Sequence, residues 1–278
     1  MAGLALALAT AVAALAAFAA APAATAGFSG EKAKHWTRQI ASVGPRPAGS
    51  VRERRAGRIA ARRLEALGYD VGIQTFTLPN GRISRNVVAR TPGTLRVIIV
   101  AHMDGVRGTQ AANDNASGVG TLLELARNLR GEEGVRLAAL GAEERMVTGS
   151  PYHLGSLRFT RSLRDSVKEG VRLALSVDMV GVGTTFHVRG LEASPNRSAR
   201  ILLRRARALG VPVTYLRDTG QSDHDDLTRG GVPAAWVEWR WDRCWHQPCD
   251  RIRRVKPRKL RRAGRVVLAA SRHVLDRF

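Results

Sequence analysis

Short apolar runs at residues 95–101, 135–140, 171–177 and 232–237, separated by stretches of helical periodicity, limit what this chain can fold into more than any other feature. Strands that are apolar on both faces belong to a sheet covered by helices on both sides, and such sheets are largely parallel. The periodicity predicts helices over 116–129, near 150–157, and over 195–209 and 257–274. Upstream, 31–43 and 51–67 also read as helices. The second places Ala56, Ile59, Ala60, Leu64 and Leu67 on one face and stops at Gly68. Gly44-Pro45-Arg46-Pro47 breaks the chain between them. The β-prone segments 69–78 and 83–89 flank Pro79-Asn80-Gly81 and read as a hairpin. The expected fold is α/β: a mixed, mostly parallel sheet with an antiparallel edge, sandwiched between helices in a single domain.

Size and charge bound the function classes. At 278 residues the chain is near the upper limit for one hydrophobic core. The net charge is +22, but an ordinary charged fraction of 24% and recurrent apolar runs exclude a disordered polycation. A basic surface attracts acidic ones without specifying a site. The most basic stretch, 251–278, keeps Val255, Leu260, Val266, Val267, Leu268 and Val274 as an apolar stripe, so it reads as the solvated face of a last helix. A polyanion- or wall-binding protein is the alternative.

Residues 4–24 are nearly all Ala, Leu and Val and end at Ala24-Thr25-Ala26, which reads as a signal peptide over 1–26. The expected product is a secreted or extracytoplasmic chain, 27–278, without a stable membrane anchor after signal removal. A retained anchor is the competing reading, because the run approaches the ~20 residues a span needs. Cys244 and Cys249 suit a disulfide in an oxidising compartment. A zinc knuckle using His246 competes with it but lacks an obvious fourth ligand.

The residues just after each apolar run carry the chemistry. The first run ends in His102-Met103-Asp104, the second in Gly141-Ala142-Glu143-Glu144, the third in Asp178. In open α/β sheets the crevice beyond the C-terminal strand ends is where ligands bind, so these residues converge there. The segment 112–118 adds Asp114 at a helix start, and 245–250 adds His246 and Asp250. Histidine with carboxylates and no free thiolate points to Zn, Mn or Co. His102 and Asp104, two apart on an extended segment, share a face, so Asp104 can orient the imidazole. Glu143 and Glu144 point in different directions, which lets one ligate while the other stays free as a base.

The chain resembles the di-zinc aminopeptidases, a family that includes secreted bacterial leucyl aminopeptidases. The motifs that carry the likeness are 44–50 (Gly-Pro-Arg-Pro-Ala-Gly-Ser), 86–89 (Asn-Val-Val-Ala), 101–104 (Ala-His-Met-Asp), 113–118 (Asn-Asp-Asn-Ala-Ser-Gly), 141–144, 178–180, 222–224 (Ser-Asp-His) and 244–250, in the family's order. The resemblance implies two Zn2+ per chain, or Mn2+ or Co2+ in their place. Asp114 would bridge them, with His102 and Asp178 completing one site and Glu144 and His246 the other. Glu143 matches the general base and Asp104 the partner of His102. Ser222, Asp223, His224 and Trp245 match the substrate's vicinity, and the spacing about Cys244 and Cys249 matches the disulfide of the secreted leucyl enzymes. The implied activity is hydrolysis of the N-terminal peptide bond of peptides or proteins by a monomer, with no specific nucleic-acid partner.

Three departures concern the substrate side. Trp245 stands where leucyl enzymes carry Tyr, Gln221 stands where some relatives have Arg, and the stretch between Pro233 and Cys244 is short. A glutaminyl cyclase-like transferase with one zinc and a catalytically silent binding module are the competing functions, and the complete ligand set argues against both. Asp218, Asp223, Asp225 and Asp226 suggest an acidic patch that attracts the substrate's amine or a basic first residue. Asp225 and Asp226 equally suit the first turn of a short helix. His35, His153, His187 and His273 read as structural or surface residues.

Overall fold

The structure, a computed structural model, describes residues 27–278, and the expected signal segment 1–26 lies outside them. Two helices, α1 (Gly30–Ala41) and α2 (Val51–Glu65), lead into the hairpin β1 (Asp70–Thr77) and β2 (Ile83–Arg90). Next come β3 (Val97–His102), α3 (Ser117–Leu129), β4 (Val135–Leu140), α4 (Arg145–Thr148), α5 (Leu154–Arg161), α6 (Asp165–Gly170) and β5 (Leu173–Val177). The chain closes with β6 (Thr185–Gly190), α7 (Arg197–Ala208), β7 (Thr214–Arg217), α8 (His224–Arg229), β8 (Ala234–Arg240) and α9 (Pro257–Leu275). Serine caps start α1 and α2: Ser29 accepts from the amide of Lys32, and Ser50 from that of Glu53.

All strands join one sheet in the order β1-β2-β4-β3-β5-β8-β6-β7. Its centre, β4-β3-β5-β8, is parallel. The hairpin joins it antiparallel through β2, as expected, and β6 joins β8 antiparallel at the other side. Alternation along β3 shows why the central runs are apolar throughout. Val97, Ile99 and Ala101 enter the core under α1, α3 and α9, whereas Ile98 and Val100 face Phe159 of α5 and Leu227 of α8. The last helix buries Leu260, Val266, Val267 and Val274 and turns Arg258, Arg261, Arg262 and Arg265 outward, the solvated basic face expected of it.

The parallel centre gathers the ends of β3, β4 and β5 at one edge, and Gly118 brings α3 against it. A Cβ at Gly118 would lie 2.1 Å from the carbonyl oxygen of Val177, so only glycine permits this approach. No helix among the described residues is long and apolar enough to cross a membrane.

Candidate functional site

The residues at the ends of the strands meet beyond the sheet edge. The Nε2 atom of His102 lies 3.2 Å from Asp114 Oδ1 and 3.4 Å from Asp178 Oδ1. On the far side of Asp114, His246 Nε2 lies 3.1 Å from Oδ2 and 3.2 Å from Glu144 Oε2. Asp114 therefore stands between two histidines, one oxygen to each. Glu143 and Glu144 diverge as expected: Glu144 turns to His246, while Glu143 Oε2 faces His102 at 4.0 Å.

Each member is held by a second residue, and several of these explain the sequence motifs. Asp104 accepts from the amides of Glu143 and Glu144 at 3.1 and 3.2 Å, and its Oδ1 lies 3.6 Å from His102 Nδ1. One carboxylate thus fixes the glutamate loop and lies beside the imidazole. Asn86 accepts from the amide of Gly141, pinning the start of that loop. Asp250 accepts from the amides of Asn113 and Asp114 at 2.8 and 3.1 Å. Ser222 donates to Asp178 Oδ2 at 2.9 Å. Arg46 is fully buried and donates to the carbonyls of Met103, Gln110 and Ala111, which ties the loop after β3 to the connection between α1 and α2. Cys244 and Cys249 form a disulfide that brackets His246, and this removes the zinc-knuckle alternative.

Backbone conformation sharpens the location. The described non-glycine residues with positive φ are Ala111, Ala142, Met179, Trp241 and His246, all within the site or beside one of its members. Such conformations cost energy and concentrate where function requires them.

Electrostatics asks for cations. Burial and the neighbouring Asp114 push Glu144 up to about 8. Burial likewise raises Asp178, although His102 opposes it. Burial disfavours a charged His102, yet Glu143 and Asp178 outweigh it and hold the imidazole well above its usual value. Glu143 is itself held below the carboxylate range, burial being outweighed by His153 and His102. Both ring nitrogens of His102, Glu144 Oε1 and Asp178 Oδ1 are buried without a hydrogen-bond partner. Orphaned buried polar atoms of this kind are costly unless something else satisfies them. His102 with Asp114 and Glu144, and His102 with Glu143 and Asp178, each bring ligand atoms within 4.8 Å of one another. The donor set and these orphans fit a divalent cation of the zinc type.

The cluster opens into a cavity of about 560 Å³. Of the residues expected near substrate, Trp245 lines it, whereas Ser222, Asp223 and His224 are buried behind its wall. The acidic patch expected over 218–226 does not face it either. Asp218 pairs with Arg189, Asp225 with Arg229, and Asp226 accepts from the amide of His153. Sequence reading missed His153, Arg189 and Glu238, which do line the cavity. His153 Nδ1 lies 2.9 Å from Glu143 Oε1.

A helix-sandwiched sheet with two histidines and acidic residues gathered at its C-terminal strand ends is an architecture that suits a metal site. Residues 86–271 match peptidase family M28, and the chain belongs to that family. It is 29% identical over 216 residues to aminopeptidase YwaD of Bacillus subtilis, covering 71% of this chain and 46% of that protein. It is 26% identical to leupeptin-inactivating enzyme 1 of Streptomyces exfoliatus, covering 75% and 52%. The chain thus spans about half the length of these curated relatives. Its fold is that of BSAP, a zinc aminopeptidase from Bacillus subtilis, with a TM-score of 0.81 at 18% identity over 88% of this chain and 95% of that one. A glutaminyl cyclase from Porphyromonas gingivalis superposes with a TM-score of 0.76 at 23% identity, over 89% and 99%.

Proposed function

We propose that this chain is a secreted, metal-dependent aminopeptidase that hydrolyses the N-terminal peptide bond with two zinc ions, its catalytic domain being 27–278. The observation that carries this reading is the placement of Asp114, whose two oxygens face His102 and His246 at 3.2 and 3.1 Å. That placement suits a bridging carboxylate. His102 and Asp178 would hold one ion, Glu144 and His246 the other. When bound, the ions supply Lewis acidity that polarises the scissile carbonyl and acidifies the attacking water.

The chain's own groups do the proton work. His153 occupies Oε1 of Glu143, which leaves Oε2 facing the cluster. There Oε2 takes a proton from the attacking water and returns it to the leaving amine. Held below the usual carboxylate range, Glu143 is ionised and ready to accept. Asp104 lies on the other side of the His102 ring, 3.6 Å from Nδ1, while Nε2 faces Asp114 and Asp178. The cavity beside Trp245 would take the free amino terminus.

The test is metal analysis together with turnover of leucyl-nitroanilide and its N-acetylated form. About two equivalents of zinc, loss of hydrolysis on chelation and no cleavage of the blocked substrate are expected. One equivalent with full activity, or cyclisation of N-terminal Gln peptides in place of hydrolysis, would replace this reading with the cyclase one.

A further inference from the structure

The cavity wall beside the metal cluster is polar at its base, and its residues lie far apart in sequence. Alternation along β8 sends Ala235, Val237 and Trp239 into the core and Trp236, Glu238 and Arg240 to the cavity. Trp236 Nε1 donates to the backbone carbonyl of Asp178 at 3.2 Å, which sets this wall next to the cluster. β6 places Arg189 opposite Trp236, with its guanidinium 4.2 Å from the ring centroid. Arg189 is committed at both ends of its fork. Its Nη1 donates to Glu238 Oε1 at 3.2 Å, and its Nη2 is held by Asp218 at 2.7 Å and Gln221 at 2.9 Å. Glu238 is only 3% exposed, and among the described residues only its Oε1 has a partner.

We propose that Glu238 sets the first-residue preference, its remaining carboxylate oxygen receiving the guanidinium or ammonium of an Arg or Lys side chain. This rests on the aminopeptidase reading above. Arg189 divides its guanidinium between two buried carboxylates, Asp218 and Glu238, and reaches only Oε1 of the latter. A cationic side chain supplies the missing donor to Oε2. An acidic one adds a third carboxylate, and a leucyl side chain covers Glu238 Oε2 without giving it a donor, which is costly for a charged group. Trp241, exposed at the cavity wall, offers apolar surface for the long stem of Arg or Lys. Arg240 also lines the cavity, but its guanidinium lies over the Trp241 ring, 5.1 Å from the centroid, and among the described residues it forms no ion pair with Glu238. The aspartates over 218–226 contribute only through Asp218, which acts by holding Arg189.

The experiment compares kcat/KM of the zinc-loaded protein at pH 8 for arginyl-, lysyl-, leucyl- and glutamyl-nitroanilides, in wild type and Glu238→Gln. Calorimetric binding of free L-arginine and L-leucine is measured in parallel. Arg and Lys are expected to lead Leu, with Glu last. Glu238→Gln is expected to cut the Arg:Leu ratio by about 10–100-fold, the loss of one charge-assisted hydrogen bond. Arginine should bind more tightly than leucine to wild type and lose that advantage in the variant. A wild type that prefers Leu or Glu, or an Arg:Leu ratio that Glu238→Gln leaves unchanged, overturns the proposal. Arginine-selective binding that depends on Glu238, without hydrolysis of any substrate, would support this pocket and overturn the aminopeptidase reading instead.

Discussion

The imidazole of His153 clamps Glu143 twice, its Nδ1 lying 2.9 Å from the side-chain Oε1 and 2.9 Å from the backbone carbonyl of the same residue. His153 is buried, its amide donates to Asp226 Oδ2 at 2.9 Å, and burial is outweighed by Glu143 so that the ring is pushed up to about 10. A charged His153 therefore holds the glutamate in place. His153→Ala is expected to lower kcat by about 10–100-fold with little change in KM, the worth of one hydrogen bond to a charged group. His153→Gln, which keeps a donor, should recover part of the loss. Steady-state kinetics on one aminoacyl-nitroanilide checks both, and an unchanged kcat in His153→Ala would show that Glu143 needs no such clamp.

Glu143 and Glu144 are neighbours with different surroundings, and their variants should fail differently. Glu143→Gln is expected to keep its metal while losing about two to four orders of magnitude in turnover, as for a positioned acid-base group. Glu144 lies 3.2 Å from His246 with its other oxygen orphaned, so Glu144→Gln should lose metal affinity. Zinc titration beside kinetics separates the two, and reversed phenotypes would exchange the roles.

Legibility in the sequence tracks burial. The runs that became β3, β4, β5 and β8 are apolar because helices cover both faces, and the acidic or histidine residue after each of the first three was visible as an interruption. β6 was not visible, because His187 and Arg189 break its apolar pattern, Arg189 where it lines the cavity. β7 is short and only half-buried, so it offers no run at all. Arg189 on β6, Asp218 just after β7 and Glu238 on β8 form one cluster, a juxtaposition that the pairing of β6 with both β7 and β8 creates. The acidic residues near 218–226 were legible as a group, yet their partners Arg189, Arg229 and His153 were not, and those partners turn them away from the cavity.

Asp250 supplies no ligand, but it receives the amides of Asn113 and Asp114 and so fixes the loop that carries the central carboxylate. The disulfide between Cys244 and Cys249 fixes the neighbouring turn that carries His246. Asp250→Ala should weaken zinc binding by about 10–100-fold, the usual effect of removing a residue that orients ligands. Cys244→Ser should weaken the ion held by His246 more than the ion held by His102. Competition with a chromophoric chelator, resolved into two steps, would reveal the difference. Equal loss of both ions in Cys244→Ser would mean that the turn is held by other contacts.

Metal-free protein should lose stability above neutral pH. Burial pushes Glu53, Glu144 and Asp223 up to about 8. His246 is raised to about 10, burial being outweighed by Asp114 and Glu144, and His153 also reaches about 10. A group whose pKa is raised by folding binds more protons in the folded chain, so its stabilisation is complete at low pH and lost as pH climbs through the folded value. For the carboxylates that loss extends to about pH 8, and for the histidines it runs from ~6.5 to about 10. Groups of opposite sign do not interfere. His224, pushed down to about 4 by burial, acts only below ~6.5, and the lowered Asp114 and Glu143 act below the usual carboxylate range. The melting temperature of chelator-treated protein should therefore fall from pH 7 to pH 9, by about 2–4 °C for each kcal/mol lost. Zinc replaces the proton on Glu144 and His246, so the loaded protein should show a shallower fall. Asp223 keeps its titration with metal bound, and Asp223→Asn should flatten the pH 7–8 part of the slope in both forms. A melting temperature that rises from pH 7 to pH 9 without metal would show that these groups do not titrate as their burial requires.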